Sequence, residues 1–226
     1  MVVAAGCLLA LLIAWLPGRM VLRQSCDLER KSLNRDTNRV VLELGNEVRI
    51  LGALARDWAS WDDTYSFIQD HNAYFIHANL QWASLFGSTR INFLSFVDGQ
   101  GRVVWTGFRR SLSEPPLQVP PDLARGPEEP ATEGFILTPE GPLVWARREI
   151  VHSDGSGPVR GMLLMGRLLD QATLSDIIHR VGLPFQVQDT LRTPASALAG
   201  ELAEHLRNGG YDVHYTPEVA TIHTFV

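Results

Sequence analysis

Residues 91–108 read INFLSFVDGQGRVVWTGF. Apolar and β-branched residues on either side of Asp98-Gly99-Gln100-Gly101 predict two strands, Ile91–Val97 and Arg102–Phe108, folded back on each other as a hairpin. The pattern then recurs. Glu133–Thr138, a turn at Pro139-Glu140-Gly141-Pro142, and Leu143–Val151 make a second hairpin. A further turn, Ser153-Asp154-Gly155-Ser156-Gly157-Pro158, leads into a fifth strand, Val159–Leu168. Five strands in hairpin order over residues 91–168 imply an antiparallel sheet. Between the hairpins, Ser111–Thr132 carries Pro115, Pro116, Pro120, Pro121, Pro127 and Pro130 and reads as a surface loop.

Upstream of the sheet, Leu33, Thr37, Val40, Leu44, Val48, Leu51, Ala55 and Trp58 step by three and four, the spacing of one helix face. They predict a long helix over about 27–58. Its seam is close to a heptad and fits two arrangements, a parallel pair of copies in a dimer stalk or a helix lying across a sheet, along different stretches. A parallel pair would bring two copies of Cys26 together, either as an intermolecular disulfide in an oxidising compartment or as unpaired thiols.

Met1–Leu16 (MVVAAGCLLALLIAWL) holds no charged or strongly polar residue, and Trp15 suits a membrane interface, so residues 1–22 are expected to form a transmembrane anchor. A cleaved signal peptide fits less well, because no basic start and no small-x-small cleavage site are present. Arg19, Arg23, Arg30, Lys31 and Arg35 all follow the apolar run. Taken literally, that asymmetry places the following domain in the cytoplasm, but the rule weakens when a long domain follows.

Beyond the sheet, Asp170–Arg180 predicts a helix, Phe185–Asp189 a short strand, Ala195–Arg207 a second helix, and Tyr211–Tyr215 and Ala220–Val226 two more strands. This αβ extension over 170–226 ends in an extended-looking segment, which carries the expectation that the protein continues. The expected fold is α+β: an anchor and stalk helix, then an antiparallel sheet of about five or more strands flanked by helices, the whole of 26–226 forming one domain.

The chain has 226 residues, with 20 Lys and Arg against 25 Asp and Glu. A formal charge of -5 is the wrong sign for neutralising many phosphates, so nucleic-acid binding is disfavoured. Two cysteines, Cys7 and Cys26, cannot build a disulfide framework or a multi-cysteine zinc or iron-sulfur site.

Asp57–Leu80 (DWASWDDTYSFIQDHNAYFIHANL) interleaves Trp and Tyr with Asp, Asn and His. At helical spacing, Trp58, Trp61, Tyr65, Phe67 and Tyr74 read first as core. Asp57, Asp62 and Asp63 suit capping of a helix that restarts at Trp61 or Asp62. The functional reading is a small-molecule pocket, in which aromatic walls flank a carboxylate that holds an amine, or arginines that hold a carboxylate. Its candidate residues are Trp58, Trp61, Asp62, Tyr65, Tyr74, Asn79, Trp105, Trp145, Arg147 and Arg167. Hydrolysis by the aspartates lacks every other component: no HExxH, GxSxG or phosphate-binding loop occurs, so no catalytic residue and no cofactor are assigned. Glu201 and His205 at i and i+4, with His214 and His223 on the following strands, fit a two- or three-ligand metal site or an exposed ion pair and surface histidines; their spacing matches no recognised set, and no metal is assigned.

The stretch DWASWDDTYSFIQDHNAYFIHANL, with its Trp-Asp-Asp core and its Phe67, Asp70, Asn72, Tyr74, Asn79 and Leu80, resembles the extracellular CHASE sensor domain of the fourth type, found on bacterial and archaeal histidine kinases and cyclic-di-GMP enzymes. The likeness continues in order through INFLSFVDGQGRVVW, Gly-Pro-Leu-Val-Trp-Ala and SDGSGPVRGMLLMGRLLD, covering about Leu42–Asp170. It implies a Cache- or PAS-like fold with a long N-terminal helix and a curved antiparallel sheet. It also implies a ligand-sensing domain on the periplasmic side of the inner membrane, in a receptor whose partners are an unknown small molecule and a second copy. The favoured output is a diguanylate cyclase or phosphodiesterase, with a histidine kinase as alternative. A reading from another class is an anchored periplasmic binding or adaptor protein without output. Trp82 and the proline-rich loop depart from the pattern, and a loop that covered the sheet would alter ligand access.

Overall fold

The computed structural model describes residues 32, 35–126, 132–183, 185, 211–215 and 220–224. The chain divides into two compact units, Met1–Leu42 and Glu43–Val226. Helix α1 covers residues 35–59. From Glu47 onward its buried positions are Glu47, Leu51, Gly52, Ala55, Trp58 and Ala59, so this part of the apolar seam faces its own domain and lies across the sheet. Gly52 lies close against the sheet: a Cβ there would collide with the ends of Glu133 and Arg148, which pair with each other beneath it. The anchor expected over 1–22 and the Cys26 pairing lie outside the described residues. No described helix is long and apolar enough to cross a membrane.

Five antiparallel strands form the sheet: β1 (Phe93–Asp98), β2 (Val103–Phe108), β3 (Glu133–Thr138), β4 (Gly141–Glu149) and β5 (Gly161–Leu168). Their spatial order is β2-β1-β5-β4-β3, so the first strand and the last lie side by side at the centre. Phe93 pairs with Gly166 and Leu94 with Met165 in that central ladder. The two hairpins are those the turn residues predict. Register between β1 and β2 slips once, between Phe96 and Val97, a bulge that restores pairing as Val97 with Val103.

Side chains alternate across the sheet. On one face Phe96 receives Phe67 and Phe75 edge-on, at centroid separations of 5.3 and 5.9 Å, while those two rings stack at 4.4 Å. All three phenylalanines are buried, each worth about 1.5–3 kcal/mol of transfer energy. On the opposite face Phe93, Val97, Phe108, Leu143, Trp145, Leu164 and Leu168 form a second apolar layer. It is covered by the proline-rich segment.

That segment is more than a surface loop. Leu117 and Val119 pack on the second layer, and a short helix, α5 (Pro121–Arg125), buries Leu123 and Ala124. Leu117 N–H donates to the Phe108 carbonyl at 2.8 Å, and the buried Ser95 hydroxyl donates to the Ala124 carbonyl at 2.7 Å. Prolines leave few amide hydrogens to satisfy, which lets an irregular strap lie on an apolar surface that would otherwise be wet. Asn92, also buried, closes the sheet end by donating to the Arg109 and Arg110 carbonyls and accepting from Leu168 N–H.

The aromatic segment is not one continuous helical face. It splits into α2 (Asp62–Asp70) and α3 (Ala73–Asn79), because His71 adopts a left-handed conformation and the Asn72 side chain caps α3 by accepting from Phe75 N–H at 2.8 Å. A single turn, α4 (Trp82–Ser84), then runs into a π turn over Leu85–Thr89 that ends at left-handed Arg90. After the sheet, α6 (Gln171–Val181) starts at Asp170, which accepts from Thr173 N–H, and stops at left-handed Gly182. The two strands expected from the sequence, β6 (Tyr211–Tyr215) and β7 (Ala220–Thr224), pair with each other antiparallel. The strand expected over Phe185–Asp189 and the helix over Ala195–Arg207 lie outside the described residues, except Phe185, which is irregular.

Candidate functional site

The α1–α2 junction and the turn between β4 and β5 come together from distant parts of the chain. Val151 N–H donates to the Ala59 carbonyl at the end of α1. Asp62, in the first turn of α2, then takes three contacts from that turn: His152 Nδ1 lies 2.9 Å from Oδ1, Ser153 N–H donates to Oδ1 at 3.1 Å, and the Ser153 hydroxyl donates to Oδ2 at 2.9 Å. His152 first, and Ser153 next, hold the Asp62 carboxyl below its usual range by bonding its charged form.

One turn along α2, the Tyr65 ring lies on the His152 imidazole, with centroids 3.7 Å apart. Its hydroxyl donates to the Pro158 carbonyl at 3.2 Å and accepts from Arg160 Nε at 3.0 Å. The turn can close over Tyr65 because Gly155 and Gly157 take positive φ, and a Cβ on Gly157 would press on both His152 and the Tyr65 hydroxyl. Asp154 braces the same turn by accepting from Ser156 N–H at 2.8 Å, and the Ser156 bonds hold its carboxyl low as well.

This geometry corrects the expected role of the aspartates. The helix restarts at Asp62 with Trp61 in the capping position, and no side chain caps it. Asp62 sits one position too late to cap, so its oxygens turn to the β4–β5 turn; as an anion in the first helical turn it still complements the helix dipole. With three of its acceptor sites occupied, Asp62 serves as a clamp and has little left for an amine.

Of the candidate residues, Trp58, Trp61, Asp62 and Tyr65 gather around the junction, Trp58 and Trp61 stacking at 5.0 Å. Tyr74 stands apart on α3, 82% exposed. Asn79 is half-buried at the end of α3. Trp105 lies on β2, where it meets Phe96 and Trp82, each at 6.2 Å. Trp145 is buried in the layer beneath the strap, and half-buried Arg147 follows two residues later on β4. Arg167 is committed to Glu47 and to the Thr89 carbonyl, at 2.8 and 2.7 Å. The ten residues therefore do not line one cavity. His152, Ser153 and Arg160 are the members that sequence reasoning missed; the SDGSGP turn was visible, but nothing local tied it to Asp62, 91 positions away from Ser153.

Glu201 and His205 lie outside the described residues, and His214 and His223 fall on β6 and β7. Among the described residues no group of three or more His, Cys, Asp or Glu is placed to hold a metal ion.

The aromatic junction, the β1–β2 hairpin and the strand carrying Gly166-Arg167 all lie inside residues 44–188, which match the model of the CHASE4 domain. The chain belongs to the CHASE4 family. A CHASE4 domain is a sensor module of a signalling receptor, and the fold has the elements that the resemblance implies. The chain is also 26% identical over 206 residues to the methanogenesis regulatory histidine kinase FilI of Methanothrix harundinacea (strain 6Ac), an alignment covering 85% of this chain and 22% of that protein. The chain thus spans about a fifth of the length of this curated relative. Among solved structures, the periplasmic domain of Vibrio cholerae LuxQ aligns with a TM-score of 0.42 and 13% identity over 84% of this chain and 96% of that one.

Proposed function

We propose that this CHASE4 domain is the extracytoplasmic ligand-sensing part of a membrane-bound histidine kinase. The observation that carries the reading is the alignment of most of the chain with FilI, a protein named as a regulatory histidine kinase. The cyclic-di-GMP output favoured from the sequence has no counterpart in these similarities, so the kinase alternative moves ahead of it. A transmembrane anchor over residues 1–22, a homodimeric arrangement and a small-molecule ligand belong to the same reading, and the chain's own task is binding, not catalysis. Signalling then requires only that the ligand favour one of two arrangements of the domain.

The test is made on the whole receptor in lipid nanodiscs, supplied in parallel with ATP, GTP and cyclic-di-GMP. Transfer of the ATP γ-phosphate to a histidine supports the reading. Formation or cleavage of cyclic-di-GMP without such transfer overturns it in favour of the cyclase or phosphodiesterase, and neither activity overturns it in favour of an anchored binding protein.

A further inference from the structure

A buried carboxylate on α1 takes arginines from two different elements. Glu47 Oε2 pairs with Arg167 Nη1 of β5 at 2.8 Å, and Glu47 Oε1 pairs with Arg180 Nη2 in the last turn of α6. Arg180 also pairs with Glu43, one turn earlier on α1. One turn earlier on α6, Asp176 pairs with Arg90 at the end of the π turn. Burial weakens the Arg180 charge, but Glu43 and Glu47 outweigh it and hold the guanidinium more firmly protonated than usual.

These pairs fall into two layers. The inner one, Glu47 with Arg167, has side chains 6% and 12% exposed and is neutral by itself. If Arg180 leaves, Glu47 keeps Arg167, so no buried charge is stranded. The outer contacts are wetter: the Arg180 side chain is 45% exposed and that of Glu43 22%, both Arg90 and Asp176 are exposed, and only the Arg180–Glu47 contact reaches a buried carboxylate. Exposed pairs are screened by salt and exchange for water at little cost. The apolar hold on α6 is narrow, since Thr173, Ile177 and Val181 are its buried residues.

We propose that α6 is an ionic latch on α1: its docking through Arg180 and Asp176 loosens as ionic strength rises, while α1 stays fixed to the sheet through Glu47 and Arg167. The domain thereby registers the salt content of its surroundings as the docked fraction of α6. The latch rests on the geometry of this domain alone and does not depend on which output the receptor carries.

Amide hydrogen exchange on the intact chain tests it at about 0.1 M and about 1 M NaCl, between which the screening length falls from about 10 Å to about 3 Å. Exchange in residues 171–181 is expected to rise by about fivefold, the scale set by screening two exposed pairs, with β1 and β5 unchanged. The double variant Asp176→Asn, Arg180→Gln should exchange at the high-salt rate in both conditions, with β1 and β5 protection reporting that it is folded. Choline chloride should act as sodium chloride does. A wild-type α6 that ignores salt, a double variant that keeps the response, or a response confined to sodium overturns the latch.

Discussion

His152 Nδ1 lies 2.9 Å from Asp62 Oδ1, although the two residues are 90 positions apart in the chain. The contact joins the aromatic aspartate motif to the Gly-Ser-Gly-Pro turn, so two stretches that look independent in the sequence form one structural unit. The bonds from Asp62 to His152 and Ser153 tie the β4–β5 end of the sheet to the α1–α2 junction.

The clamp should persist through neutral and mildly acidic conditions and open in strong acid. Asp62 is held below its unfolded pKa, so its contribution is complete above the unfolded value and is lost as pH falls through the folded one. The Ser153 amide resonance should therefore report an acid transition beginning below about pH 4. In Asp62→Asn that transition should vanish, and a Ser153 signal titrating identically in both proteins would contradict the clamp.

Two tyrosines of the same motif should behave differently. Tyr65→Phe keeps the ring on His152 but loses the bonds to Pro158 and Arg160, at a cost of about 1–2 kcal/mol in urea unfolding. Tyr74 is exposed on α3, and Tyr74→Phe should stay within about 0.5 kcal/mol of the wild type. Equal effects would mean that the junction is not a packed unit.

Ser95→Ala should loosen the strap. The substitution leaves the Ala124 carbonyl without its buried donor, costing about 1–3 kcal/mol. Limited proteolysis should then cut within 111–126 sooner than in the wild type, with the fragment pattern elsewhere unchanged.

Glycine positions offer a paired check on the sheet. A Cβ at Gly161 would meet the Val97 carbonyl and the Asp98 Cα, backbone atoms that cannot swing aside, so Gly161→Ala should destabilise by about 1–3 kcal/mol. Gly45 lies on an exposed part of α1 with open space around it, and Gly45→Ala should stabilise by about 0.5–1 kcal/mol. Thermal unfolding of the two variants should shift in opposite directions.

Local chemistry by itself determined the sheet strands, the long helix and α6, but not α5 or the breaks within residues 62–89. Alternation of apolar residues and Gly-rich turns place five strands, three-and-four spacing places the long helix, and Asp170 ahead of a periodic run places α6, because each signal lies within a few residues of the structure it specifies. The ordered motifs from the aromatic segment to Gly166-Arg167 also carried the family. What only the tertiary structure decided is how side chains far apart in sequence use one another. Asp62 clamps a distant turn and leaves its own helix uncapped, Arg167 belongs to Glu47, Trp145 lies beneath the strap, and Leu117, Val119 and Leu123 turn an expected surface loop into a cover. These outcomes depend on strand order and on which sheet face each element covers. Long-range contacts compete for the same few acceptors and apolar surfaces, and a residue's neighbours in the chain do not reveal which competitor wins.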